Sequence, residues 1–543
     1  MNQKYIIGII AVLLIAIIGG VLFMSGSGTP ERADNELIVS AYYWGGEPSS
    51  GFDPMYGWGS YGEPLIQSTL LKMNKNMTYE NDLATSWEAN DDFTEYTVKI
   101  RDDVKFTDNT TLDAEDVAFS FNQAKSTGST ADLSSMDNAT AVDKNTIKFT
   151  LNRPDSTFSN KMLYVGIVPS DSYDNETYGS NPIGSGPYKF LQWDKGQQAI
   201  LEKNPDYYGK QPEFDKLTIL FKENEAAFAS VKNHEVDMAS VPISYANETV
   251  DGYHKFISDS YDVRGISLPV IPNTGETNED GIPLGNNVTA DKSIREALNY
   301  GINRTDIGKG ALNGIGLPNY DGIAHTLPWY NKEAEIEDGD VDKAKQILKD
   351  GGWEDTDGDG IVEKDGLKAS INLYYTANEH EREAIAVAVA EQAKELGIEV
   401  NVTGSNWDEM DNIKFSDPIV WGFGSSDPYT MYGEYYSDQA GIGYNNPALV
   451  NNSVVDSHME KAMSEPREAS FADWSAVSWD GTTGISPKGD AAWLWVGEIK
   501  CVYFIDDSLD ISEDTFKIQP HVGYDPFGNI YDWTRVASLN ETS

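Results

Sequence analysis

Four carboxylates recur at short, regular intervals in Asp355-Thr-Asp-Gly-Asp-Gly-Ile-Val-Glu363, where Asp355, Asp357, Asp359 and Glu363 take the first, third, fifth and ninth places and Gly360 the sixth. Oxygen ligands so spaced are how a calcium loop begins, because a hard cation needs several carboxylates and carbonyls folded around it by a glycine turn. The twelfth place, which should carry a bidentate glutamate, is Gly366. The stretch therefore reads as a solvated acidic turn, with a structural calcium as the alternative.

Other reactive constellations are missing from the sequence. There is no Gly-x-Ser-x-Gly elbow, no phosphate loop and no His-Glu-x-x-His, and Gly308-Lys-Gly-Ala-Leu-Asn-Gly314 misses a dinucleotide fingerprint by one residue. The six histidines, His234, His254, His325, His380, His458 and His521, are scattered without ligand spacing. Among 87 acidic residues nothing singles out a pair for glycoside cleavage. The expectation is a protein that binds and does not catalyse.

The elements that would hold such a site alternate between strand and helix. Glu36 to Tyr43 opens the folded region as a strand, and Tyr96 to Ile100 is another. A helix follows from near Leu112, with Asp113 as its cap and Ala114, Val117, Ala118 and Phe121 on its buried stripe. Val341 to Leu348 reads as a short helix closed by Gly351 and Gly352. Ala369 to Tyr375, Glu379 to Leu396 and Ile398 to Thr403 read as strand, helix and strand, a unit that closes onto a parallel sheet.

With 543 residues, 40% of them hydrophobic, the chain can bury a large core and should form more than one lobe. A formal charge of −47 disfavours phosphate backbones, so nucleic acid is excluded as a partner. Cys501 is the only cysteine, which excludes an internal disulfide and a lipid-modified cysteine after a signal. Lys4 precedes an apolar stretch from Tyr5 to Met24, long enough to span a hydrocarbon core. That stretch is expected to be an uncleaved anchor, with a cleaved signal as the alternative, and the positive-inside rule places the acidic bulk outside the cytoplasm. Ten Asn-x-Ser/Thr sequons fit an exported, glycosylated surface.

Several long phrases carry a resemblance. The run from Asp82-Leu-Ala-Thr-Ser-Trp to Lys105-Phe-Thr-Asp108, continued by Leu112-Asp-Ala-Glu-Asp-Val-Ala-Phe-Ser-Phe121, is similar nearly position by position to the signature region of the peptide- and nickel-binding proteins that serve ABC importers. Pro182-Ile-Gly-Ser-Gly-Pro-Tyr-Lys-Phe190, Asn204-Pro-Asp-Tyr-Tyr-Gly209 and Ile294-Arg-Glu-Ala-Leu-Asn-Tyr-Gly-Ile-Asn-Arg304 resemble further family segments. The matches run from about Glu36 to about Pro447, and the stretch after Glu465 matches weakly.

The resemblance implies a two-lobed α/β fold of the periplasmic-binding-protein type with an extra domain, mixed sheets flanked by helices, and a hinge of crossing strands. The expected partition is an anchor or signal at 1–24 and a linker at 25–35. Lobe I would take 36–75, 178–265 and 500–543, the extra domain 76–177, and lobe II 266–499. In peptide-binding members an Asp-Pro like Asp427-Pro428 receives the ligand's α-amino group, a charge-assisted contact. Carried over, Asp427 holds the amine and Trp421 offers a stacking face; the plainer reading makes Asp427 a turn cap and Trp421 core. Gly51-Phe-Asp-Pro-Met-Tyr-Gly-Trp-Gly-Ser-Tyr61 matches a loop bordering the cleft, which makes Tyr56, Trp58 and Tyr61 candidates, with a lid on the core as the alternative.

Nickel-binding members imply a metal–chelate alternative helped by a histidine downstream of the Asp-Pro, but Tyr429 to Asn446 contains none. The implied partners are a short peptide or metal chelate, a membrane permease driven by a cytoplasmic ATPase, and the membrane through the amino-terminal helix, with the chain acting as a monomer. No cofactor is required. A membrane-anchored adhesion or structural protein is the reading from another class.

Overall fold

The structure, a computed structural model, describes residues 35–40, 46–128, 131–519, 521 and 523–536. The expected anchor, Tyr5 to Met24, lies outside the described residues, and so does most of the linker. Among the described residues no helix is long and apolar enough to cross a membrane.

Three sheets organise the chain. The first is a mixed seven-stranded sheet in the order Tyr253–Ser258, Cys501–Asp506, Met238–Val241, Glu36–Ser40, Lys216–Leu220, Gln198–Lys203, Tyr188–Asp194. Its Glu36–Ser40 strand lies parallel to both neighbours. This sheet takes strands from far apart in the sequence, Glu36–Ser40 near the start of the described residues and Cys501–Asp506 near their end.

The second sheet, Ala84–Ala89, Glu95–Ile100, Thr146–Leu151 and Met136–Asp143, is wholly antiparallel and lies within the stretch expected to be the extra domain. The helix Ala114–Thr127 covers it and starts in a reciprocal cap: Glu115 N–H donates to Asp113, and Asp113 N–H donates to Asp116. Its Phe121 packs edge-on to Phe149 with ring centroids 4.7 Å apart.

Lobe II holds the antiparallel sheet Leu317–Pro318, Trp493–Glu498, Val263–Ser267, Val420–Phe423. Beside it Ser370–Thr376 and Glu399–Ser405 pair in parallel around the helix His380–Leu396, and a bridge from Tyr374 to Ile419 joins them to the main sheet. The parallel unit expected from the sequence is therefore present. The strand Val263–Ser267, which spans the expected break between 265 and 266, pairs with Val420–Phe423 on one side and Trp493–Glu498 on the other.

Two strand pairs cross between lobes I and II. Tyr253–Ser258 leads into Val263–Ser267, and Trp493–Glu498 leads into Cys501–Asp506. The connecting residues bind each other: Ile499 N–H donates to the Asp262 carbonyl at 2.9 Å, and Lys500 pairs with Asp259 at 2.5 Å. Two short links held side by side are what a hinge between rigid bodies requires.

Gly184 and Gly186 serve close approach, not turn geometry. A Cβ on Gly184 would lie 2.0 Å from the Ile66 carbonyl oxygen, and one on Gly186 would lie 2.3 Å from that of Leu65. Gly184→Ala should accordingly lose about 1–3 kcal/mol in a urea unfolding series, whereas Gly310→Ala, with open space around its Cβ, should change stability by less than about 1 kcal/mol.

Candidate functional site

Where the extra domain, lobe II and the carboxy-terminal part of lobe I meet there is a cavity of about 170 Å³. The extra domain contributes Asp132, Lys161 and Tyr164, lobe II contributes Phe423, Asp427, Glu434 and Tyr444, and the carboxy-terminal segment contributes His521. A wall drawn from all three bodies changes shape whenever one of them moves.

Asp427 stands just past the strand Val420–Phe423, before the short helix Thr430–Tyr435. Its Oδ1 accepts the N–H of Tyr429 at 3.0 Å, so it does cap a turn. The same Oδ1 accepts Asn160 Nδ2 at 3.1 Å, and Oδ2 meets Lys161 Nζ at 2.5 Å. Asn160 and Lys161 come from the extra domain's short helix Phe158–Leu163, and both side chains of the ion pair are 3% exposed. Burial works against the Lys161 ammonium, but Asp427, with Tyr164, Asp132 and Asp155 nearby, outweighs it and holds the amine well above the ordinary lysine range. The ammonium also lies 4.7 Å from the ring centre of Tyr429.

A second contact reinforces this seam. Arg153 donates to the Tyr429 hydroxyl and lies 5.1 Å from the ring centre of Tyr432. The extra domain thus grips lobe II through two cations and a tyrosine ladder.

Trp421 is placed differently from the expectation. It is 4% exposed, donates its indole N–H to Ser267 Oγ at 3.0 Å, and packs on Trp407 and Phe423. It does not line the cavity; Phe423, two residues on along the same strand face, does. Trp58 is likewise core, 2% exposed, with its indole bonded to the Pro64 carbonyl and its ring edge-on to Phe52. Tyr56 is 38% exposed and lies off the cavity wall. Tyr61, 47% exposed, approaches the site at one remove: its ring centre is 5.2 Å from that of His521.

Sequence reasoning missed Lys161, Tyr164, Asp132, Glu434 and His521. A lysine directly before the run Met162-Leu163-Tyr164-Val165 was a signal open to reading. His521 lies in the weakly matching carboxy-terminal stretch and gave none.

Burial pushes the Glu434 carboxyl up to about 8, so it lines the cavity in its neutral form at pH 7. Burial and the Lys161 charge push the His521 imidazole down to about 4, so it is neutral as well.

The acidic turn is a separate structure. Ligand oxygens of Asp355, Asp357 and Glu363 lie within 4.8 Å of one another. Asp359 is turned instead to Lys368, which also pairs with Asp357 at 3.0 Å. Three of the four expected ligands therefore lie together, and Asp359 stands outside the group, paired with Lys368.

A cleft closed by two hinged lobes and lined by a few convergent polar groups defines a ligand-binding protein of the periplasmic type. Residues 78–442 match the model of bacterial extracellular solute-binding proteins, family 5. The chain belongs to that family. It is 30% identical over 448 residues to protein XP55 of Streptomyces lividans, covering 80% of this chain and 78% of that one. It is also 30% identical to the oligopeptide-binding protein AppA of Bacillus subtilis, covering 81% and 82%. The structure of AppA with a nonapeptide superposes with a TM-score of 0.71 at 25% identity, covering 92% of this chain and 99% of that one. NikZ from Campylobacter jejuni with Ni(L-His) superposes with a TM-score of 0.75 at 22% identity, covering 93% and 100%.

Two outcomes follow. Asp427→Ala leaves a buried ammonium without its counter-ion and should lower unfolding stability by about 3–5 kcal/mol, most of it recovered in Lys161→Met/Asp427→Asn. The folded state keeps a proton on Glu434 that the unfolded chain gives up above its ordinary carboxyl value, so stability should fall as pH rises towards about 8. Asp321 and Asp525, each raised to about 7, add to that loss. Glu434→Gln should flatten the alkaline slope of urea midpoints measured from pH 5 to 8. The acid-side loss from His521, whose folded value lies below its unfolded one, should remain as pH falls from about 6.5 towards 4.

Proposed function

We propose that this chain is the solute-capturing component of an ABC importer, held at the outer face of the membrane by its amino-terminal segment. In this reading it takes up short peptides in the cavity between its lobes and presents them to a permease. The observation that carries the reading is Asp427, a buried carboxylate on the cavity wall at the junction of three bodies, already positioned to hold an ammonium. Among the relatives named above, AppA is an oligopeptide-binding protein. No cofactor enters this reading: in the acidic turn, calcium would compete with the Lys368 ammonium already in place.

A metal–chelate ligand is the second reading. His521 favours it, since a neutral imidazole on the cavity wall is a ready metal ligand at pH 7.

A thermal-shift screen of the full-length protein in detergent separates the two. Peptide pools of two to five residues at about 100 times their dissociation constant should add roughly 2.7 kcal/mol of stability, and Asp427→Asn should abolish the rise. A rise with nickel plus L-histidine alone, lost in His521→Ala and indifferent to Asp427→Asn, would replace the peptide reading. No rise with any ligand would turn attention to an anchored structural protein.

A further inference from the structure

The short helix Thr430–Tyr435 turns Thr430, Gly433 and Glu434 to the cavity, a spacing that puts all three on one helical face. Glu434 is 3% exposed, and its carboxyl has the Tyr435 hydroxyl beside it but, among the described residues, no basic side chain. A carboxyl buried without a cation is tolerable only while it keeps its proton, and a glutamine would fill the same place with no such condition. Lys161, the cation of the cavity wall, is taken up by Asp427, and His521 is neutral, so neither answers Glu434.

We propose that Glu434 is a specificity-determining residue for a basic side chain, so that the ligand this cavity favours is a small peptide bearing a lysine or arginine. This inference rests on the peptide reading of the cavity. A basic side chain that enters the cavity leaves water and needs a counter-ion there. Glu434 supplies it by releasing its proton to solvent: the carboxylic acid becomes a carboxylate, which pairs with the ligand's cation. A neutral side chain leaves that proton in place. Asp132, exposed on the same wall, adds negative charge and so favours a cationic side chain over an anionic one. Tyr164, Tyr429 and Tyr444 also face the cavity, but burial raises all three hydroxyls and they keep their protons at neutral pH. Asp321, whose carbonyl accepts the Tyr435 hydroxyl at 3.4 Å, is raised to about 7 but lies off the wall.

Calorimetric titration of full-length protein in detergent tests it with two dipeptide pools, one whose members each carry a lysine and one in which uncharged norleucine replaces that lysine. Dipeptides suit a cavity of about 170 Å³, below the roughly 300–1,000 Å³ of drug-sized ligand sites. At pH 7 the wild type should bind the lysine pool about 10- to 100-fold more tightly, the range of one charged hydrogen bond. Titrations repeated in phosphate and in Tris, which take up protons with different heats, should show about one more proton released per lysine peptide than per norleucine peptide. Lowering the pH from 7 to 6 should shrink the lysine preference by about tenfold, since the proton must then leave against a higher proton concentration. Glu434→Gln should bind the two pools alike, with the same proton count for both. Should that variant fail to fold, the wild-type proton count decides by itself. Equal binding of the two pools by the wild type, lysine binding without the extra proton, or a preference undiminished in Glu434→Gln would overturn the proposal and leave Glu434 as a structural acid. Failure of both pools to bind the wild type would overturn the peptide reading along with it, an outcome distinct from binding without discrimination.

Discussion

An ammonium and a carboxylate removed from water must find each other or lose several kcal/mol apiece, and in this protein the two come from different bodies. Lys161 comes from the helix Phe158–Leu163 and Asp427 from the far side of the seam, and among the described residues each is the other's ion-pair partner. The seam therefore has a defined closed register. The groups around the pair follow from it: Asn160 and the Tyr429 N–H orient Asp427, the Tyr429 ring lies near the ammonium, and His521 stays neutral beside it. A site so arranged answers to charge before it answers to shape.

That pair matters because the chain can move about it. The lobes are joined by two short strand links at 259–262 and 499–500, which hydrogen-bond to each other more than to either lobe's core. Strong sheets end on both sides of these links, so bending concentrates there. The extra domain grips lobe II through Lys161 and Arg153, and its Thr107 N–H donates to the Gly184 carbonyl at 2.9 Å. Separating the extra domain from lobe II then means separating a buried ion pair.

Local signals read well from the sequence. Asp113 announced its helix, and the strand–helix–strand run around His380–Leu396 announced a parallel pair, because capping and periodicity act over a few residues. The site was legible only in part. Asp427 could be singled out by its Asp-Pro phrase, but Trp421 and Trp58 are core, since an aromatic side chain's surroundings are fixed by which sheet face it falls on. Lys161, Asp132 and His521 are far from Asp427 in the sequence and meet it only through the docking of three bodies. The acidic turn shows the same limit: Lys368, outside the motif, decides where Asp359 points.

The most direct test is an interlobe distance. With Cys501 replaced by serine, spin labels at the exposed positions Glu88 and Lys394, on the extra domain and lobe II, report how the two bodies sit. Adding the dipeptide pool should shift that distance in the wild type and leave it unmoved in Asp427→Asn, because the ligand acts through that carboxylate. An equal shift in both proteins would show that the ligand closes the molecule somewhere else and would contradict the account.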